Sequence, residues 1–296
     1  MSSVKNIFYK PPFIGLLAFF IVFLVQALGH TVMILMENIF GEAYVYQSAT
    51  ALGLVGAVLL FIGMKHPKEV TGTWLGFFAG TLLWTGWVEF AFVWNASWLS
   101  VPDQMDSGEI ATKAEYLVMM SSLGIMMATL AYFTLNKETK CNFFHWIQRR
   151  MHLSTGKPTP GYPRNFAAIT ALETIYVIWF FYLALLFIYE ILGDTHPVTY
   201  VLFFANTVWA LYLLNRLVKF WKVTTAIRYG IPTAIIAWNS VELIGRWNMF
   251  EEIWIHPEKY YLEMSLVLTA VVLVTSVSML TPAHVKAELD RAQRAA

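Results

Sequence analysis

Apolar residues fall in eight runs: Phe13–Met36, Val45–Met64, Trp74–Asn95, Glu115–Leu135, Phe166–Tyr189, Val198–Val218, Arg228–Met249 and Tyr261–Thr281. Each run is about 20 residues long, enough for a helix to cross ~30 Å of hydrocarbon. Lipid offers no partner to a backbone N–H or C=O, so a spanning segment is either a helix or part of a closed barrel. The two-residue alternation of barrel strands is absent from these runs. The pattern therefore predicts an all-α polytopic membrane protein with eight transmembrane helices.

Composition supports the same class. Hydrophobic residues make up 58% of the 296 residues and charged residues 13%, with a mean hydropathy of +0.57. A soluble domain carries about 25% charged residues, so a water-facing surface of this size could not be built from this chain.

The charges sort by loop. Lys5, Lys10, Lys65, Lys68, Lys137, Lys140, Arg149, Arg150, Lys157 and Arg164 fall on one side, followed by Arg216, Lys219, Lys222, Arg228, Lys286, Arg291 and Arg294. Glu37, Glu42, Asp103, Asp106, Glu109, Asp194, Glu251, Glu252 and Glu258 fall on the other. Basic loops stay in the cytoplasm, which predicts a multi-pass protein of the inner (cell) membrane with both termini cytoplasmic. Phe13–Met36 is too long for the core of a signal peptide and has no small-residue cleavage site. The basic residues set topology and meet anionic headgroups of the bilayer; nothing here points to nucleic acid.

The segment 136–165 divides the chain. It opens on CNFFHWIQRRM, where Phe144, Ile147 and Met151 alternate with Arg149 and Arg150 as in an interfacial helix, and closes on the Pro/Gly-rich STGKPTPGYPRN linker. The flanking segments resemble each other at a shift of 153. Glu37 maps to Glu190, Val88 to Val241, Glu89 to Glu242, Trp94 to Trp247, Asn95 to Asn248, Phe13 to Phe166 and Ala18 to Ala171. The organisation expected is two tandem four-helix repeats, 1–135 and 166–282, with a cytoplasmic tail at 283–296. An even span count per repeat gives both the same orientation, hence a pseudo-two-fold axis along the membrane normal.

A carboxylate within lipid requires a partner, a proton, a cation or water, so Glu89 and Glu242 mark a candidate site. In the second repeat Arg246 follows Glu242 by one helical turn and offers a structural ion pair; the first repeat has Val93 at that place. Gln26, His30, Met33 and Glu37 form one stripe of the first span, whereas their counterparts are apolar except Glu190. The first repeat is therefore expected to carry the richer ion-binding site, with His30, Glu37 and Glu89 able to relay a proton or hold a divalent metal. Gln47 and Ser48 lie at a matching depth. Trp94 and Trp247 fit interfacial anchors, and Asn95 and Asn248 fit caps of helix ends. Glu37 and Glu190 also fit plain solvated helix ends, and His30 a hydrogen-bonded histidine within the bundle.

Other patterns are weaker. Glu173 is expected to pair with Asn215 or Arg216. Met119, Met120, Met126 and Met127 suggest copper only by composition and fit core filling better. The single Cys141 excludes a disulfide framework, and no covalent-haem, nucleotide-binding, HExxH or GxSxG motif occurs. Any cofactor is unspecified. The leading expectation is a transporter or channel-like protein for a cation, proton or small cationic solute. The alternative is a membrane subunit that docks a periplasmic, basic redox partner on its acidic face. An intramembrane enzyme using His30 and Glu89 stands third.

Overall fold

The computed structural model describes residues 10–106, 109–139 and 141–280. Lys5, Lys140, Thr281, Lys286, Arg291, Arg294 and the tail 283–296 lie outside them, as do the side chains of Glu42, Asp106 and Glu109. Of the described residues 77% are helical, with almost no strand. Ten helices suffice to follow the fold: α1 Phe13–Gly41, α2 Ala43–Lys65, α3 Glu69–Trp98, α4 Ala114–Met120, α5 Leu123–Leu135, α6 Asn142–Arg150, α7 Phe166–Ile191, α8 Pro197–Leu217, α9 Val223–Arg246 and α10 Tyr261–Met279. Among the described residues, α1, α2, α3, α7, α8 and α10 are each long and apolar enough to cross a membrane. The pair α4 and α5, bent by 44°, adds a seventh if it counts as one span. The protein is an all-α, multi-pass membrane protein.

The seven apolar runs just named appear as helices with ends close to those expected. The eighth, Arg228–Met249, lies largely in α9, which is 24 residues long yet is not among the six. Its turns are enclosed by other helices, and Ala226, Ile227, Ile231, Ala234, Ile235, Ile236 and Asn239 are all buried. A helix wrapped in protein has no lipid-facing stripe to keep apolar, so it can carry polar side chains on several faces. Asn206 of α8 donates to the Ile236 carbonyl at 2.7 Å and to the Ser240 hydroxyl at 2.8 Å, both on α9.

The chain forms two compact units. The larger contains α1, α2, α3 as far as Ala91, and α7 to α10. Here α1 and α2 meet at Gly41, whose φ of 57° is open to glycine without steric cost. Small residues let the backbones approach. A Cβ on Gly76 would lie 2.3 Å from the Ala167 carbonyl oxygen, and one on Gly80 would lie 2.7 Å from that of Ala171. This is small-x-x-x-small packing of α3 on α7. Likewise α1 sets Ala18 against Gly230 of α9, where an added Cβ would stand 3.3 Å from the Ala18 methyl.

One segment of α3, Trp84–Glu89, winds as a π-helix. Gly86 there touches the backbone of α2 at Ala49 and Gly53, and the Trp87 indole donates to the Thr50 carbonyl at 3.1 Å. A π turn inserts one residue into the helical register, which rotates everything beyond it and frequently marks a working site.

The smaller unit covers residues 92–165. Strands β1 (Gln104–Asp106) and β2 (Glu109–Thr112) pair antiparallel, and Asp103 accepts the Ala114 amide at 2.7 Å at the start of α4. The bend between α4 and α5 falls at Ser121 and Ser122, whose hydroxyls turn back onto the Val118 and Met119 carbonyls. Helix α6 docks on α5 by stacking Phe144 on Phe133 at 5.7 Å and by a Gln148 to Thr134 carbonyl bond of 2.8 Å. It leaves Phe143 and Trp146 exposed beside Arg149 and Arg150, as an amphipathic helix does. The Pro/Gly stretch after it has no regular structure. The methionine pattern does not converge: Met119 and Met126 are buried, whereas Met127 is exposed.

Candidate functional site

The polar centre of the larger unit is an ion pair between α1 and α9. His30 faces α9, and its Nε2 lies 3.1 Å from Oε1 of Glu242. Glu242 also accepts the indole N–H of Trp238, one helical turn earlier on α9. The Trp238 ring in turn lies nearly parallel to the His30 imidazole, 6.0 Å between centroids. So α9 supplies the carboxylate and the aromatic plate that orients it, and α1 supplies the histidine. Both charged side chains are mostly enclosed, at 30% and 24% exposure.

The pair rests on an apolar floor of Ala27, Trp238, Trp254 and Met264, with Phe23 packed against it. Trp254 comes from the loop after α9 and contacts Trp238 at 4.8 Å. Thr31 ties that loop to α1 by donating to the Trp254 carbonyl at 3.0 Å. Such a floor strengthens electrostatic interactions within the pair by excluding water from one side.

Further charged and aromatic groups of α7, α9 and the loops that follow them lie beyond the pair. Arg246 binds Asp194 Oδ1 at 3.0 Å, and its guanidinium lies 4.1 Å over the Tyr189 ring. Trp247 donates to the Asp194 carbonyl at 2.8 Å and stacks on Tyr200 at 4.7 Å. The Tyr189 hydroxyl is buried and makes no hydrogen bond among the described residues, although Glu242 and Arg246 both act on it electrostatically. Glu252 covers Gly245 so closely that an added Cβ would stand 2.7 Å from its carboxylate. Burial, and then the neighbouring Glu242 charge, hold the Glu252 carboxyl above the ordinary carboxylate range. Its neighbour Glu251 behaves oppositely: hydrogen bonds from Lys259, at 2.6 Å, and from Tyr260 hold it below that range.

The expected site residues distribute unevenly. His30, Glu242 and Arg246 are brought together. Glu89 is buried at the end of the π turn and lies within electrostatic range of His30. Gln26 instead turns back to the Val22 carbonyl of its own helix at 3.2 Å, and Glu37 is exposed near the end of α1. Glu190 is half-buried on α7, next to Tyr189. Asn248 does end its helix, with a φ of 54° and its amide on the Gly245 carbonyl at 2.8 Å. Asn95 does not: α3 continues to Trp98, and Trp94 stacks on Trp98 with both rings exposed.

Three expectations are corrected. Arg246 reaches away from Glu242 to Asp194, because the carboxylate is already taken by His30 and Trp238. The site is accordingly not confined to the first half; it joins His30 of one to Glu242 of the other. Glu173 pairs with Arg228 of α9, in a two-pronged contact whose Nε arm measures 2.9 Å, while Arg216 turns to Tyr212. The triad His30, Glu37 and Glu89 does not assemble, and among the described residues no three His, Cys, Asp or Glu side chains gather as metal ligands. Trp238, Tyr189, Asp194 and Glu252 were not anticipated. Trp238 had a local signal, since it precedes Glu242 by one turn in a helical stretch; the other three meet the site only through tertiary packing.

Chemically, an imidazole and a carboxylate in direct contact can share, accept and release a proton, and nothing larger fits between them at 3.1 Å. No protein-family model, curated protein or solved structure matches the chain.

Proposed function

We propose that this protein is a transporter or channel-like membrane protein whose bound cation is a proton, held at the His30–Glu242 pair. The observation that carries this reading is the pair itself: a titratable imidazole on a long apolar helix, α1, and a carboxylate on the enclosed helix α9, in direct contact. Structural ion pairs within apolar surroundings gain little stability over packed hydrocarbon, so a histidine there is better explained by titration. With the carboxylate ionised and His30 protonated, the two attract. A further proton on Glu242 neutralises the carboxylate, ends the attraction and frees α1 from α9; its release restores the contact. Glu252 packs beside the pair, over Gly245 of α9, and its carboxylate draws cations toward it.

In this reading the bundle has eight spans in a cell membrane, counting α9 and the bent α4–α5 pair. Both termini lie in the cytoplasm and the His30 end faces outward, as the basic loops suggest. The two halves arose by duplication. What supports that is the reciprocal packing in which α1 meets α9 and α7 meets α3, with Ala18 and Ala171, which correspond under the 153-residue shift, each set against a glycine. A docking role for a periplasmic partner is the second reading, favoured by the exposed, stacked Trp94 and Trp98.

Reconstitution into liposomes with an imposed pH gradient and membrane potential tests the proposal. Wild-type protein dissipates the gradient, and His30→Gln and Glu242→Gln each abolish that activity. Undiminished flux in both variants refutes the site. Salt-sensitive capture of a basic partner by protein that carries no flux favours docking instead.

A further inference from the structure

Helix α9 carries polar groups along its length. Arg228 engages Glu173 of α7 near one end. Glu242 engages His30 of α1, and Arg246 engages Asp194, near the other. Arg228, Ile231, Ile235, Asn239, Glu242 and Arg246 recur at steps of three or four residues, which places them on one stripe of the helix. Partners on α1 and α7 show that the two charged ends of this stripe face those helices. Arg228 and Glu242 stand ~21 Å apart along α9 at ~1.5 Å per residue, most of the thickness of a hydrocarbon core.

The stripe is interrupted midway. Ile231 and Ile235 are 1% and 4% exposed and are the apolar positions of the stripe between the charged ends. Pro232 lies beside them and has no N–H to close its own turn, so this is where α9 bends most readily. Two charged stations separated by two buried isoleucines and a weakened turn form an arrangement that a packing face alone does not require.

We propose that the transported proton follows this stripe of α9, between the Glu242–His30 pair and the Glu173 carboxylate held by Arg228, and that Ile231 and Ile235 close the path between them. This rests on the proton-transport reading above. A proton arriving at Glu242 converts its carboxylate to the acid. Opening of the isoleucine constriction admits water, the proton passes as hydronium, and Glu173 accepts it as the Arg228 contact parts; release to bulk water on that side returns Glu173 to the carboxylate. A dry constriction blocks hydronium because a charge without hydration is strongly unfavourable in hydrocarbon.

Two measurements on the full chain test the path. In a Cys141→Ser background, Asn239→Cys and Thr224→Cys, the latter one turn beyond Arg228 on the same stripe, are treated in sealed vesicles with a membrane-impermeant maleimide from either side. Asn239 and Thr224 are themselves buried, at 6% and 3%, so their labelling reports opening of the path: Asn239→Cys reacts only from the His30 side and Thr224→Cys only from the other, whereas Ile231→Cys and Ile235→Cys, at the closure, resist both. Ile235→Ser, which hydrates the constriction, raises passive proton flux about tenfold, equivalent to ~1.4 kcal/mol of barrier, and Glu173→Gln abolishes gradient-driven flux. Wild-type vesicles without proton flux overturn the transport reading and this path together. Wild-type flux that Ile235→Ser and Glu173→Gln leave unchanged, with Asn239→Cys and Thr224→Cys unlabelled from both sides, overturns the path alone.

Discussion

At the scale of single residues, the polar centre of the larger unit is a contact that neither partner could make alone. Removing one member of an enclosed ion pair strands the other charge, so Glu242→Leu should destabilise the fold by about 3 kcal/mol. Replacing both, as His30→Phe with Glu242→Leu, should recover most of that loss without recovering proton flux. Thermal unfolding in detergent separates the two outcomes, and a double variant as unstable as the single one argues against a direct pair. The neighbouring glutamates give a test of sign. Glu252 has its folded carboxyl raised, so the native state binds more protons than the unfolded chain between the unfolded and folded values. Its contribution to stability therefore falls as pH rises through that window. Glu252→Gln should raise the melting temperature at neutral pH and leave it nearly unchanged at pH below the ordinary carboxylate range. Glu251, held low by Lys259 and Tyr260, works the other way, and Glu251→Gln should lose stability only above that range. Equal shifts for both variants at both pH values contradict these assignments.

At the scale of elements, Glu89 and Glu242 could be singled out from sequence as carboxylates in apolar runs, while their partners could not. The apolar runs that form α1, α2, α3, α7, α8 and α10 were legible because lipid imposes length and polarity on each spanning helix separately. Pairing is a property of two helices. The i,i+4 relation of Glu242 and Arg246 was visible in the chain, yet Arg246 crosses to Asp194, and Glu242 is taken by a histidine more than two hundred residues earlier. The π turn left no mark either: WTGWVE reads as ordinary helix, and its register follows from Gly86 pressing against α2. Glycine spacing was the legible signal left unread, since Gly72, Gly76 and Gly80 stand four apart on α3. Gly76→Ala should therefore cost about 2 kcal/mol, because its Cβ meets the Ala167 backbone, which has no room to yield. Gly29→Ala on α1, with nothing within 4 Å of its Cβ, should instead stabilise by about 1 kcal/mol through helix propensity. Equal effects of the two substitutions would remove close helix packing as the reason for Gly76.

For the molecule as a whole, the packing of the larger unit has a consequence for folding. Helix α1 lies against α9, and α7 against α3, so each half of the chain covers helices of the other. Helix α9 depends on the other half at one charge: Arg228 and Arg246 keep Glu173 and Asp194 within the second half, but Glu242 has its partner on α1, and in lipid without α1 it would face hydrocarbon at a cost of roughly 2.5–3.5 kcal/mol at mid-membrane depth, less near an end. The second half on its own should insert α9 poorly and aggregate or be degraded. The irregular stretch at 154–165 offers a place to cut without touching a helix. Fragments 1–156 and 157–296 expressed together should associate, co-purify through a tag on either one and, under the proposed function, carry proton flux. Each expressed alone should be recovered at a small fraction of the paired yield. If 157–296 alone accumulates as a monodisperse, thermally stable protein, Glu242 does not need its partner on α1, and the exchange of helices between halves is not what holds the bundle together.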